Sequence, residues 1–223
     1  MFDVRLENIN WLEHYMFAFD KEPVETGKIL FYGDSYFTRW SDKYGHRPLA
    51  EDIRMKDGSL AAVNHGFGTS TAEEQLYFYH RAVYPWKPRA LVLRTFGNDI
   101  GAGYSPSEII FLQARLCDYA RHDFPGIRIY LLDAIPNLKS RDSRSTVNFM
   151  KQYNELLAAY CAKHDDCVLV EESKIPDLYD SPEHVGDPSH YREELFFEDR
   201  VHLNQKGYDV YKEFFLEVLD DIL

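Results

Sequence analysis

Lys28-Ile29-Leu30-Phe31-Tyr32-Gly33-Asp34-Ser35 runs an apolar segment directly into a Gly-Asp-Ser turn. A short apolar run closed by turn residues reads as a buried strand. The serine just past it is then presented at a strand-to-helix turn. Similar runs rich in Val, Ile, Leu and aromatics recur at residues 60–64, 90–95, 127–133 and 167–170, which makes five expected strands with residues 28–32. Helix-like segments fall between them at 72–82, 106–122 and 146–164, with Pro106 suited to the first helical position after a Ser105 cap. Tyr208, Tyr211, Phe215, Val218 and Ile222 share one face of a final helix over 205–223. Strands alternating with helices predict an α/β layered sandwich on a five-stranded parallel sheet. Such a sheet collects ligands in the crevice beyond the carboxyl ends of its strands. Ser35 follows the first run, Gly66 and Gly68 the second and Asn98 the third, while Asp199 and His202 precede the last helix. Four loops can therefore bring polar groups to one edge.

Size and charge limit what such an edge belongs to. The 223 residues, 45% hydrophobic, can bury one substantial core, whereas a division would leave two poorly buried ones. One domain over residues 1–223 is expected, since no repeat, low-complexity tract or linker interrupts the chain. No apolar run approaches the roughly 20 residues of a membrane span. The 37 acidic and 25 basic residues give a formal charge of −12, which repels nucleic-acid phosphates and anionic membrane surfaces. Neither is an expected partner. Cys117, Cys161 and Cys167 form no Cys-x-x-Cys pair, and an odd count does not suit a disulfide framework, so a reduced, cytoplasmic protein is expected. Residues 1–22 carry charges throughout and lack the apolar stretch of a signal peptide. Phe2, Leu6, Ile9, Leu12 and Met16 recur at spacings of three and four, so residues 1–25 are read as a helical extension packed on the domain.

The chemistry begins with Ser35. A serine hydroxyl is a weak nucleophile at neutral pH and needs an imidazole to take its proton and a third group to orient that imidazole. Taken alone, Ser35 reads as the cap of the helix that follows it, and only the other segments reverse that. Two Asp-x-x-His pairs could complete a triad, Asp199 with His202 and Asp187 with His190, whereas His184 lacks an aspartate at that spacing. The chain has no Gly-x-Ser-x-Gly elbow, which argues against an ordinary α/β-hydrolase.

Four segments together narrow the choice: Gly33-Asp34-Ser35, Asn64-His65-Gly66-Phe67-Gly68-Thr69-Ser70-Thr71, Gly97-Asn98-Asp99 and Asp199-Arg200-Val201-His202 resemble, in order, the sequence blocks of the SGNH or GDSL-type hydrolases. The resemblance spans about residues 28 to 220, and Leu203-Asn204-Gln205-Lys206-Gly207-Tyr208 also fits the pattern. It implies a flavodoxin-like three-layer fold and an esterase, lipase, thioesterase or carbohydrate deacetylase activity. His202 leads into Asn204 and the amphipathic helix that the family places there, which favours Asp199 and His202 over Asp187 and His190. Ser35 is then the expected nucleophile, His202 the general base and Asp199 its orienting acid.

The negative oxygen of a tetrahedral intermediate needs aimed donors. The backbone N–H of Ser35, a backbone N–H of the 66–69 loop and the side-chain amide of Asn98 are the candidates. The block-two glycine of the family aligns at Thr69, whereas this chain offers Gly68 one position earlier, so Gly68 is named as the donor. Phe96 stands where the third block often begins with glycine and is expected to narrow the pocket. Tyr36, Phe37, Trp40 and Tyr104 read as packing or as pocket walls. Arg39 and Arg94 can bind an anionic group, although Arg39 reads as solvated and Arg94 as a buried ion-pair partner. No cofactor or metal is expected. The substrate class is a small-molecule ester: a carboxylic ester, an O-acetyl sugar or a lysophospholipid. Two rivals stand beside it, a metal-dependent hydrolase gathering Asp34, Asp99, Asp199 and His202, and a non-catalytic flavodoxin-like module holding a phosphate at the first loop.

Overall fold

In the computed structural model, which describes residues 5, 6 and 8–223, alternation along each strand divides the apolar side chains between two cores. The strands are β1 (Ile29–Gly33), β2 (Ala62–Gly66), β3 (Ala90–Arg94), β4 (Arg128–Leu132) and β5 (Cys167–Val170). The helices are α1 (Ile9–Phe19), α2 (Ser35–Arg39), α3 (Leu49–Asp52), α4 (Ala72–Ala82), α5 (Gly97–Gly101), α6 (Pro106–Asp123), α7 (Arg144–Cys161) and α8 (Gln205–Val218). Leu30, Tyr32, Leu91, Leu93, Ile129 and Leu131 pack under α1, α4, α6 and α7. Ile29, Phe31, Val92, Tyr130 and Leu132 pack under α2, α3 and α8 on the other face. Because helices cover both faces, β1 and β3 are buried at every position, as central strands of a parallel sheet are.

All neighbouring strands are parallel, in the order β2-β1-β3-β4-β5. This is the flavodoxin-like order, and its ligand crevice lies where the chain changes direction, between β1 and β3. Ser35 and Asn98 leave the sheet on either side of that point. Glycine is required here by close approach. A Cβ on Gly33 would lie 2.6 Å from the Arg94 carbonyl oxygen, and one on Gly66 would lie 2.3 Å from the Thr38 nitrogen.

Local signals set most helix starts. Thr71 with Glu74 and Ser105 with Glu108 form reciprocal capping boxes at α4 and α6, and Pro106 follows the Ser105 cap. The expected 72–82 helix is α4 itself, and α6 runs one residue past 122. α7 starts at Arg144, because the Ser143 hydroxyl accepts from the Thr146 N–H. β2 begins two residues later than expected, since Leu60 forms an antiparallel bridge with Arg54 instead of entering the sheet. The final helix ends at Val218, and a short 3-10 turn, Asp220–Ile222, follows.

The N-terminal stripe is shorter than its spacing implies. Leu12 and Met16 are buried on α1, but Leu6 precedes the helix and Phe2 lies outside the described residues. The reason is a pair of tethers: the Arg5 N–H donates to the Glu73 carboxylate (2.8 Å) and the Asn8 N–H to that of Glu74 (3.0 Å), which fixes the chain before Ile9 against the start of α4. Between β5 and α8, residues 171–204 form a series of 3-10 turns pinned by the bridges Tyr179–Tyr191 and Phe196–Leu203. That excursion brings Asp199 and His202 back to the carboxyl edge of β1. Among the described residues no helix is long and apolar enough to cross a membrane.

Candidate active site

The turn after β1 assigns separate jobs to adjacent residues. Asp34, not Ser35, caps α2, its Oδ1 accepting from the Tyr36 N–H at 3.0 Å. Ser35 Oγ is thereby left to His202, whose Nε2 lies 2.8 Å away. The second Asp34 oxygen pairs with the Arg94 guanidinium, which also faces Glu172 at 3.4 Å and lies 3.8 Å above the Tyr36 ring. Arg94 is thus the buried ion-pair partner that a cation inside a strand suggests. Burial pushes the Glu172 carboxyl up to about 7 against the pull of Arg94.

His202 and Asp199 sit on a tight turn. The Phe197 N–H donates to the His202 carbonyl (2.7 Å) and the Arg200 N–H to the Phe197 carbonyl (2.9 Å), with Arg200 left-handed at φ 57°. Asp199 Oδ1 accepts the backbone N–H groups of Val201 (2.9 Å) and His202 (3.0 Å). Its Oδ2 lies 2.8 Å from His202 Nδ1. Partial burial works against ionisation of Asp199, but the backbone and ring donors of His202 and the Val201 N–H hold its carboxyl down at about 2. Burial lowers the His202 pKa below its ordinary value, opposed by Asp199 and assisted by Arg39. A neutral ring donating from Nδ1 to a carboxylate presents an unprotonated Nε2 to the serine hydroxyl. The Tyr36 hydroxyl donates to the Val201 carbonyl at 2.7 Å and steadies the turn from below.

The donor candidates surround Ser35. Asn98, at the start of α5, gives one amide hydrogen to the Ser70 carbonyl (2.9 Å), tying the loops after β2 and β3 together. With Ser35, Arg94, Phe96, Asn137 and Val201 it lines a cavity of about 150 Å³. Gly68 flanks the serine from the β2 side, where a Cβ would lie 3.6 Å from that of Ser35 and 3.0 Å from the Tyr15 hydroxyl. The two departures from the glycine pattern keep glycine-like backbones. Thr69 has φ 68° and Phe96 φ 148°. Each conformation costs a side-chain-bearing residue on the order of 1–3 kcal/mol. Phe96 is held in place by its ring contacts with Phe149 (5.9 Å) and Tyr153 (4.9 Å).

The second Asp-x-x-His pair does not form. Asp187 accepts from the N–H and hydroxyl of Ser189, while His190 turns to Asp180 (3.1 Å), which also takes His184 (2.6 Å). Among the described residues Asp180, His184 and His190 are the set with metal-ligand spacing. The two imidazoles stack at 3.4 Å with an interplanar angle of 19°, and both Nδ1 atoms are engaged by the Asp180 carboxylate. Asp34, Asp99, Asp199 and His202 are not gathered either. Asp34 is committed to Arg94, and buried Asp99 accepts from the Ala72 N–H at 2.8 Å. A phosphate at the first loop would meet the capping carboxylate of Asp34. Tyr36, Phe37, Trp40 and Tyr104 are buried packing residues, with Tyr36 also touching the cavity.

Arg39 corrects the sequence reading. It is not simply solvated: its Nη1 lies 3.0 Å from Asp199 Oδ2 across 160 positions of sequence, a pairing no local signal announces.

Residues 31–210 match the model of the GDSL-like lipase/acylhydrolase family. The fold is similar to that of a GDSL-like lipase from Bacteroides thetaiotaomicron, at 15% identity and a TM-score of 0.73, covering 97% of this chain and 100% of that one. It is also similar to an acetyl xylan esterase at 17% identity and TM-score 0.66, covering 86% and 99%. An acetyl-xylooligosaccharide esterase from Geobacillus Stearmophilus matches at 18% identity and TM-score 0.64, covering 88% and 95%. No curated protein sequence matches the chain significantly.

Proposed function

The chain belongs to the GDSL-like lipase/acylhydrolase family of ester-cleaving enzymes, and from that premise we propose a serine esterase that removes a short acyl group through an acyl-enzyme on Ser35. The observation that carries this reading is the line from Ser35 Oγ through His202 to Asp199, 2.8 Å at each step. His202 Nε2 takes the Ser35 proton as Oγ attacks the acyl carbon, and Asp199 stabilises the imidazolium that results. His202 then returns the proton to the departing alcohol. Water, deprotonated by the same ring, attacks the acyl-enzyme and releases the acid. The negative oxygen formed in each half is met by the Ser35 peptide N–H and the free amide hydrogen of Asn98, with the Gly68 N–H, which faces the Tyr15 hydroxyl, as the third donor. Losing one such donor lowers the rate by about 10²–10³. No step calls for a cofactor.

Cavity size supports a short acyl group. The space beside Ser35 is about 150 Å³, well under the roughly 300–1,000 Å³ of sites that engulf drug-sized ligands. Ile135, Met150, Phe96 and Val201 give it apolar walls. An O-acetyl sugar, the kind of substrate named for two of the similar folds, falls within this class. We take residues 1–223 as one hydrolase domain, with α1 packed on it. The buried, unpaired Cys117, Cys161 and Cys167 support a reducing, cytoplasmic setting, and the charge of −12 supports a small-molecule partner over nucleic acid.

A fluorophosphonate probe tests the nucleophile: it is expected to label the native chain and not Ser35→Ala, and equal labelling of both would sink the assignment. Aryl esters from acetate to decanoate test the acyl pocket, with kcat/KM expected to fall as the chain lengthens.

A further inference from the structure

The last residue of α2 touches the same carboxylate oxygen as the general base. Arg39 Nη1 lies 3.0 Å from Asp199 Oδ2, which accepts from His202 Nδ1 at 2.8 Å. Asp199 Oδ1 is taken by the backbone N–H groups of Val201 and His202. A carboxylate has about four lone-pair sites, so Arg39 fills the last one. α2 begins with Ser35 and ends with Arg39, so one short helix fixes the distance between the nucleophile and this cation.

We propose that Arg39 is a positioning residue of the triad, sharing Oδ2 with His202 so that the Asp199 carboxylate keeps both its orientation and its charge, and setting a cation beside the base. The inference rests on reading Ser35, His202 and Asp199 as the catalytic set. The cation has two opposed effects. It strengthens the anchoring of Asp199, and it disfavours the imidazolium, so the base stays unprotonated to lower pH. His202 is faced by Asp199, Arg39 and Asp34 and by the Tyr36 ring at 5.8 Å. Arg39 is faced by Tyr15, His46 and Tyr208 and by the Tyr44 ring, 5.4 Å from its guanidinium and also approached by Lys43. Among the described residues Asp199 is the carboxylate within ion-pairing distance of Arg39.

Removing this charge has a signature that lost packing lacks. In Arg39→Gln the acid limb of the kcat/KM profile is expected to move up by about half to one pH unit, with a lower kcat as Asp199 loses an anchor. Arg39→Lys, which keeps the charge and loses the planar fork, is expected to return the limb to its native position. NMR titration of the His202 ring in both variants provides a readout independent of turnover and is expected to show the same ordering. A limb and a ring titration unmoved in folded Arg39→Gln would overturn the proposal. Should Arg39→Gln not fold, a limb and ring titration that move upward in Arg39→Lys, where the charge is retained, would overturn it. Probe labelling run alongside separates the two claims: labelling that persists in Ser35→Ala rejects the triad itself, whereas labelling confined to Ser35 with an unmoved limb rejects Arg39 alone.

Discussion

Asp34 and Ser35 are adjacent and carry out different tasks. The aspartate caps α2 and pairs with Arg94, which spares the serine hydroxyl for His202. The choice between the two histidine pairs is made at this scale as well. His190 stacks on His184 and shares Asp180, and its partner by spacing, Asp187, is taken by Ser189. His202→Ala is therefore expected to lower aryl-acetate turnover by about 10²–10⁴, while His190→Ala stays within about twofold of native. Steady-state kinetics on the two variants checks this, and a large loss in His190→Ala would move the base to the other pair.

At the scale of elements, α1 matters because it lies outside the segment that matches the family, residues 31–210. Leu12, Met16 and Phe19 are buried on it, Arg81 of α4 bridges Glu13 and Asp20, and the Phe19–His65 stack at 4.1 Å joins it to β2. Tyr15 of α1 reaches Gly68 beside Ser35. Met16→Ala removes a fully buried side chain between α1 and the core and is expected to cost about 2–5 kcal/mol by chemical denaturation. The strained loops belong to this scale too. Thr69 and Phe96 hold glycine-like angles because the loops they join are tied by Asn98 and by the Phe96 ring contacts.

The whole molecule carries buried acids whose protonation is linked to stability. Burial raises Asp99 and Glu172 to about 7 and Asp133 to about 6. Each binds its proton more readily folded than unfolded, so its contribution is complete below the unfolded pKa near 4 and is lost as pH rises through 6 to 7. His202 and His46, both lowered by burial, work the opposite way, two groups against three. The growing negative charge of the chain acts in the same direction as the acids. Tm is therefore expected to be higher at pH 5.5 than at pH 8, with a shallower slope in Asp99→Asn. Thermal melts across that range check it, and a Tm that rises with pH would contradict it.

The local chemistry of the sequence determined the strands and the main helices, because burial patterns, caps and turn residues act over a few positions, whereas Ser35, Asp199 and His202 were picked out by resemblance to the blocks of the family. Periodicity found the apolar stripe of α1 but overextended it, since the tethers from Arg5 and Asn8 to Glu73 and Glu74 come from another helix. Leu60 left the strand for the same kind of reason, a bridge to Arg54 outside the sheet. Arg39, read as solvated, became the partner of Asp199 only when the chain folded. Its contact spans 160 positions, and such a contact is set by the sheet that brings both ends to one edge. Tertiary structure alone decided which aspartate each histidine meets, how small the space beside Ser35 is, and that non-glycine residues hold glycine-like turns there, because each depends on packing between segments distant in sequence.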